Sequence, residues 1–232
     1  MFELPSWQEV QLGWGSLEDA EKQVALIERA LGLEPGMRVL DAPCGTGRIT
    51  KPLTARGYDV LGVDITERFL RKAQADGLSV ERGDIRDLRF EAEFDAVICM
   101  WGSFGYFDEA GNLAQARAAA RALKPGGGYL IDTHTAESIY PRFQERDWFE
   151  VEDTTVVTEN SVAVGEGRIE TTWTFVSGEE RHAEQSSIRL YTLHELTGVL
   201  AEAGFTAFEA RDDELEPFDV GSRRLWLVAR TP

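Results

Sequence analysis

The chain has 232 residues, of which 43% are hydrophobic, enough to fold around a sizeable core. Its 24 basic and 41 acidic residues give a formal net charge of −17, which repels phosphate backbones and argues against a nucleic-acid partner. No apolar run is long enough to span a membrane, and the two cysteines, Cys44 and Cys99, form no disulfide framework. We therefore expect a cytoplasmic protein with no membrane association.

The first part of the chain alternates between helices and short apolar strands. Helices are predicted over 16–31, from the glycine-containing turn to about residue 56, over 66–75 and over 112–123. Strands are predicted over 37–40, 58–63, from Leu78 toward Gly83, over 94–100 and over 128–132. Strands that alternate with helices at these spacings predict a parallel sheet built from βαβ units and covered on both faces.

From about residue 145 to residue 190 the hydrophobic pattern changes to a period of two, which is typical of half-buried strands. Gly165–Gly167 and Ser177–Gly178 are turn signals within this stretch. We interpret it as a small antiparallel sheet inserted into the α/β domain. A helix over 193–203 and strands over 205–210 and 225–229 complete the chain.

The predicted organisation is a single domain over 1–232. Residues 1–35 are interpreted as a helical lid, and 145–190 as the inserted β-segment. The ligand-binding core then comprises 36–144 and 191–232.

The stretch Val39–Thr50 has the order strand, glycine-containing turn, helix. Gly45 and Gly47 allow positive φ and a close approach of the backbone to a ligand, and the helix N-terminus adds free N–H donors. Taken alone, the turn is also compatible with an ordinary connection between a strand and a helix.

Two aspartates strengthen the interpretation as a nucleoside site. Asp64 ends the second strand, where a carboxylate can accept both hydroxyls of a ribose. Asp84 follows the third strand, where it can accept from an adenine amino group while the next backbone N–H donates to a ring nitrogen. A dinucleotide site is the alternative, but its third glycine would stand at position 50, which is Thr50.

These residues resemble the class I S-adenosylmethionine (SAM)-dependent methyltransferases over nearly the whole chain. Asp41, Gly45 and Gly47 match the first motif, with Pro43 in place of its first glycine. The resemblance implies a Rossmann-like, doubly wound, seven-stranded sheet, mostly parallel with an antiparallel last strand, and SAM as cofactor. The cofactor-binding residues that it implies are Asp41, Ala42, Pro43, Gly45, Gly47, Asp64, Ile65, Asp84, Ile85, Cys99 and Met100.

The inserted β-segment resembles that of small-molecule methyltransferases acting on amines or sugars, so we expect an amine or hydroxyl acceptor. A non-catalytic SAM-binding module and a methyltransferase acting on a protein are the alternatives. A homodimer is left open. No cluster of His, Cys and carboxylate residues indicates a metal.

The acceptor side is expected after the fourth strand, where aromatic rings can form the wall of a pocket or belong to the core. The pocket candidates are Trp14, Trp101, Ser103 and Tyr106, with Phe104 and Phe107 nearby. A hydroxyl acceptor needs a general base, whereas an amine needs only to arrive unprotonated. His134, after the fifth strand, and Tyr106 are the candidates for a catalytic role.

Overall fold

The structure of the protein is a computed structural model, and it describes residues 17–232. A seven-stranded sheet forms its centre, and a separate four-stranded antiparallel sheet follows in the chain. The strands of the central sheet are β1 Arg38–Asp41, β2 Asp59–Asp64, β3 Val80–Arg82, β4 Phe94–Cys99, β5 Leu123–Thr133, β10 Ala207–Arg211 and β11 Leu225–Arg230. The helices are α1 Leu17–Leu31, α2 Thr50–Ala55, α3 Glu67–Ala75, α4 Glu109–Ala122, α5 Ala136–Ile139 and α6 Leu193–Glu202, and a 3-10 turn spans Tyr140–Arg142.

The central sheet has the strand order β10-β11-β5-β4-β1-β2-β3. Strands β1 to β5 pair in parallel, and β11 is antiparallel to both β5 and β10. The predicted fold class is thereby confirmed: a Rossmann-like α/β fold with a reversed last strand and a second antiparallel sheet. The turns after β1 and β4 meet at the carboxyl edge of the sheet, where the start of β11 also lies.

Both faces of the central sheet are covered, which explains its nearly continuous apolar strands. On one face α1 contributes Val24 and Ile27, both fully buried. On the other face α4 and α6 contribute Ala119, Leu196 and Leu200. No helix within residues 17–232 is long and apolar enough to cross a membrane.

The second sheet consists of β6 Arg146–Val151, β7 Thr154–Ala163, β8 Arg168–Ser177 and β9 Glu180–Arg189, in that order. Its own core is small: Val156 and Phe175 are buried, and Phe149, Val151 and Trp173 pack against them. The sequence did not predict β6 as a separate strand, because its turn to β7 contains no glycine or proline. Glu152 takes the left-handed conformation there, with φ of +51°.

Two elements begin three or more residues earlier than the sequence-based prediction. Helix α4 begins at Glu109 rather than Asn112, because the Asp108 side chain accepts a hydrogen bond from the Gly111 N–H and caps the helix. Strand β5 begins at Leu123 rather than Gly128. Its first residues pair with Phe94, and an irregularity then shifts the register of the ladder.

Candidate functional site

The turn after β1 adopts the conformation that its glycines predict. Gly45 and Gly47 have left-handed φ of +55° and +81°. A Cβ built on Gly47 would lie 2.3 Å from the Leu78 side chain, whereas one built on Gly45 would meet no atom within 4 Å. Gly47 therefore allows the turn to pack closely, and Gly45 leaves the backbone open to a ligand. The peptide bond between Ala42 and Pro43 is cis.

The structure brings Asp64 against this turn. Its Oδ2 accepts a hydrogen bond from the Gly45 N–H at 2.9 Å, and its Oδ1 accepts one from the Thr66 N–H at 2.8 Å. These donors fix the orientation of the carboxylate and leave each oxygen a further lone pair. Burial raises the pKa of Asp64. The adjacent Ile65 is 42% exposed.

Asp84 has a partner that the sequence analysis missed. Its carboxylate forms an ion pair with Arg86, at 2.5 Å between Oδ2 and Nη2, and hydrogen bonds from Arg86 lower its pKa. The Arg86 guanidinium also lies over the Phe107 ring, 4.3 Å from its centre. Ile85 is half-buried between these groups and the core. The carboxylate expected to meet adenine is therefore already held by a neighbouring arginine.

Asp41 ends β1 and is almost completely buried. Burial raises its pKa to about 7, although the hydrogen bond from the Thr50 hydroxyl, 2.7 Å long, favours the ionised form. The nearby Asp64 carboxylate raises the pKa further. Because this pKa is close to neutral, the charge of Asp41 depends on the charge of any ligand bound beside it.

Cys99 and Met100 lie at the end of β4, as predicted. The Met100 carbonyl accepts a hydrogen bond from the Ser103 hydroxyl at 2.8 Å, so Ser103 shapes the backbone of this loop. The Cys99 thiol accepts one from Gln115 at 3.4 Å, and burial raises its pKa to about 12. Cys44 is also a free, buried thiol with a raised pKa. Both cysteines pack as small hydrophobic residues.

Trp101 joins the loop after β4 to the turn after β1. The guanidinium carbon of Arg48 lies 3.8 Å from the centre of its ring, which is 41% exposed. Gln23 of α1 accepts hydrogen bonds from Arg48 Nη2 at 2.6 Å and from the Trp101 indole N–H at 3.2 Å. Arg48 Nη1 is buried and has no hydrogen-bond partner.

The other aromatic candidates have different environments. Phe104 is buried in the core, with its ring 6.1 Å from that of Tyr191, which is the second of the two environments left open for these rings. Tyr106 is half-buried, and desolvation raises the pKa of its phenol. Phe107 is half-buried beneath the arginine described above. Trp14 lies outside the described residues.

His134 follows β5 and lies beside Arg224, the residue before β11. Arg224 Nη1 is 3.1 Å from His134 Nε2, and Arg224 Nε donates to Asp132 Oδ1 at 2.5 Å. The other oxygen of Asp132 accepts from the Trp101 N–H at 2.9 Å. Burial and the positive charge of Arg224 lower the pKa of His134 to about 4. This network connects the ends of β4 and β5 with the start of β11.

The second sheet holds the loop after β4 in place. Arg168 Nη1 donates to the Phe107 carbonyl at 3.1 Å, and the Arg189 N–H donates to the Gly105 carbonyl at 2.8 Å. A Cβ on Gly105 would lie 2.8 Å from the Arg189 carbonyl, so this close approach requires glycine. The segment that carries Tyr106 is therefore positioned by the inserted strands.

Within residues 17–232, no group of three or more His, Cys, Asp or Glu side chains is placed to hold a metal ion. The residues brought together are those of a nucleoside-type site: an open glycine turn, a carboxylate fixed at the end of β2, and a further carboxylate after β3.

Comparisons with known proteins agree with this geometry. A family model described as a methyltransferase domain matches residues 39–127. A putative methyltransferase from Bacillus subtilis is 28% identical over 207 residues, which cover 83% of each chain. The dTDP-3-amino-3,4,6-trideoxy-α-D-glucopyranose N,N-dimethyltransferase of Streptomyces venezuelae is 30% identical over 189 residues, 77% of each chain.

A solved structure extends the likeness to the whole fold. The SAM-bound amino pentose methyltransferase from Micromonospora echinaspora, involved in calicheamicin biosynthesis, matches with a TM-score of 0.72 at 21% identity, and the match covers 98% of each chain. The chain belongs to the class I SAM-dependent methyltransferases. Its cofactor is SAM, and it is an enzyme that transfers the methyl group to a small-molecule acceptor.

Proposed function

We propose that the acceptor atom is the nitrogen of a small-molecule amine. The observation that carries this proposal is the contact between Arg224 and His134. A guanidinium group has only N–H donors, so at 3.1 Å the Nε2 of His134 must be the acceptor. The proton of the neutral ring is then on Nδ1, and the ring has no free lone pair with which to take a proton from a hydroxyl.

The other titratable groups at the ends of β4 and β5 are equally unsuited to act as a base. Desolvation raises the pKa of Tyr106, so its phenol stays protonated at neutral pH. Asp132 is almost completely buried, with its two oxygens turned toward the Arg224 guanidinium and the Trp101 N–H. A hydroxyl acceptor needs a base within hydrogen-bond distance, whereas an amine brings its own lone pair. These contacts therefore favour N-methylation.

When bound, SAM supplies an electrophilic methyl group on a sulfonium centre. The open turn at Gly45 and the fixed carboxylate of Asp64 fit its adenosine portion. We infer that Asp64 accepts from the ribose hydroxyls, that Asp84 and Ile85 lie at the adenine, and that the backbone at Cys99 and Met100 meets the methionine end. The chain's own contribution is then to bind, orient and exclude water around the two reactants.

We also propose the division of the chain that the sequence suggested. Residues 36–144 and 191–232 form the SAM-binding core, and 145–190 form a module on the acceptor side. The contacts of Arg168 and Arg189 with the loop after β4 support this role for the module. Of the segment 1–35, which the sequence suggested as a lid, residues 1–16 lie outside the described residues, whereas α1 packs on the central sheet through Val24 and Ile27. The relatives that act on amino sugars make an amine on a sugar ring a reasonable first acceptor to test.

The experiment compares matched amine and alcohol acceptors by the S-adenosylhomocysteine formed, in the wild type and in His134→Gln. Glutamine can accept from Arg224 through its amide oxygen but cannot act as a base. We expect amines to be methylated, with less than a tenfold loss in His134→Gln, because removing a true general base costs about 10²–10⁴-fold. Preferential methylation of alcohols, abolished in His134→Gln, would refute the proposal.

A further inference from the structure

Arg224 has one hydrogen-bonding group more than the protein uses. Its Nε donates to Asp132 and its Nη1 to His134, but Nη2 is buried and has no hydrogen-bond partner. An unpaired donor on a buried charged group is unfavourable, because the desolvation of that group is not compensated. The side chain is therefore arranged for a partner that the protein itself does not provide.

The loop directly after β4 approaches this nitrogen at Gly102, whose φ is +69°. A Cβ built on Gly102 would lie 3.7 Å from Nη2 and 3.9 Å from the His134 ring, which are ordinary van der Waals distances. Because residue 102 is a glycine, no side chain of its own covers the buried nitrogen. Gly102 is in the loop directly after β4, on the acceptor side of the proposed methyl-transfer site.

Charges of both signs surround this point. Arg224 and Arg142 both act on His134 to disfavour its protonation, and Arg48 lies close enough to interact with Arg224. Asp132 forms an ion pair with Arg224, and Asp41 and Asp19 act on Arg48. With three arginines against three aspartates, this edge of the sheet is less acidic than the chain of net charge −17 as a whole, which favours the approach of an anion here over most of the surface.

We propose that Arg224 binds an anionic group of the acceptor, so that the substrate is an amine that also carries a carboxylate or phosphate. The inference rests on the proposed N-methyl transfer and adds a second recognition element to it. A planar guanidinium with one free N–H group is suited to an oxyanion. Asp132 and His134 hold the guanidinium so that Nη2 lies beside Gly102.

The carboxylate of SAM is the other anion that could reach this region, and the first test separates the two. The protein is saturated with S-adenosylhomocysteine, whose own carboxylate then occupies its site, and sodium acetate or methylphosphonate is titrated in. The readout is the Nε–H signal of Arg224 in ¹⁵N-arginine-labelled protein, assigned with Arg224→Lys. We expect a saturable shift in the loaded protein. A shift seen only without S-adenosylhomocysteine would overturn the proposal.

The second test uses activity. Amines that are methylated are compared with derivatives in which the carboxylate is an amide or the phosphonate an alkyl group. We expect kcat/KM to favour the anionic member by about tenfold or more, since a hydrogen bond to a charged group is lost in the other. If no amine is methylated, the proposed function fails. If both members react equally well, only the anion site fails.

Arg224→Lys tests the residue itself. A lysine can keep the ion pair with Asp132, but its single nitrogen has no second group to reach the ligand. We expect the preference for the anionic acceptor to fall to near unity in this variant. The neighbouring Arg223→Lys, at an exposed position, is the matched control and should keep the preference. Retention of the preference in Arg224→Lys would overturn the assignment.

Discussion

Binding of SAM is expected to release a proton from Asp41. In the protein alone burial raises the pKa of this carboxyl to about 7, so it is about half protonated at pH 7. SAM carries a sulfonium and an ammonium charge, and both favour the ionised carboxylate. Binding should therefore release about half a proton at pH 7 and almost none at pH 9, since the group is already ionised there.

Thr50→Val gives the matched perturbation. Its hydroxyl donates to Asp41 at 2.7 Å and lowers the pKa of Asp41. Removing this bond should raise that pKa by about one unit, because hydrogen bonds to charged groups contribute about 1.5–3 kcal/mol and the neutral acid keeps part of this. The proton released at pH 7 should then rise to about 0.9 per SAM bound.

The assay is isothermal titration with SAM in buffers of different ionisation enthalpy, whose slope gives the number of protons released. Asp41→Asn is the control and should show no buffer dependence from this group. A wild type with the same heat in every buffer at pH 7 would refute the reasoning. So would an Asp41→Asn variant that keeps the wild-type slope, because the proton would then come from another group such as Asp64.

The same pKa shift has a consequence for stability without SAM. Between the ordinary value of 3.8 and about 7, the folded protein keeps a proton on Asp41 that the unfolded chain has lost. The contribution of this group to the free energy of unfolding is therefore fully present below pH 3.8 and is lost as the pH rises to about 7. Urea unfolding of the wild type and Asp41→Asn across this range should show this difference in slope.

Three further predictions concern the turn, the ribose carboxylate and the loop after β4. Asp64→Ala should weaken SAM binding by about tenfold or more in titrations, because the ribose hydroxyls lose a charged acceptor, while Asp59→Ala, an exposed residue of the same strand, should not. Gly47→Ala should lower the free energy of unfolding by about 2 kcal/mol more than Gly57→Ala does. Both glycines have positive φ, but only at position 47 would the added Cβ clash with a neighbouring side chain. Equal urea midpoints for the two variants would contradict this. Arg168→Met should speed amide exchange in the loop after β4 by about tenfold with SAM affinity unchanged; unaltered exchange would show that the Arg168 side chain does not hold the loop.

Local patterns in the sequence predicted the alternation of helices and strands, the parallel sheet and the inserted antiparallel sheet, whereas the reversed last strand was implied only by the resemblance to the methyltransferases. Strands β1, β2 and β4 are continuous apolar runs that end at a polar residue or a glycine turn, and the glycines at 45 and 47 take the positive φ that the motif requires. The earlier start of α4 has a local signal, the cap at Asp108, whereas other boundaries depend on contacts that no short pattern encodes. The start of β5 is one example, because its first residues extend the strand only through pairing with Phe94.

The polar network at the site could not be read from the sequence for the same reason. Asp132 and Arg224 are 92 residues apart, and their contact follows only from the antiparallel course of β11 beside β5. Arg48 belongs to the stretch of the first motif. Its stacking on Trp101, however, depends on the left-handed backbone conformation of that tryptophan, whose φ is +63°. Phe104 is the opposite case, because its position after the fourth strand suggested a pocket wall, whereas its ring packs into the core.

The direction of the reversed last strand determines which of its residues can take part in the site. Because β11 runs against β5, its first residue rather than its last lies at the carboxyl edge, and Arg224 directly before it meets Asp132 there. Arg230, at the other end of the same strand, pairs with Gly128 at the opposite edge of the sheet. A parallel strand in the same place would exchange these two ends and bring Arg230 to the carboxyl edge instead of Arg224.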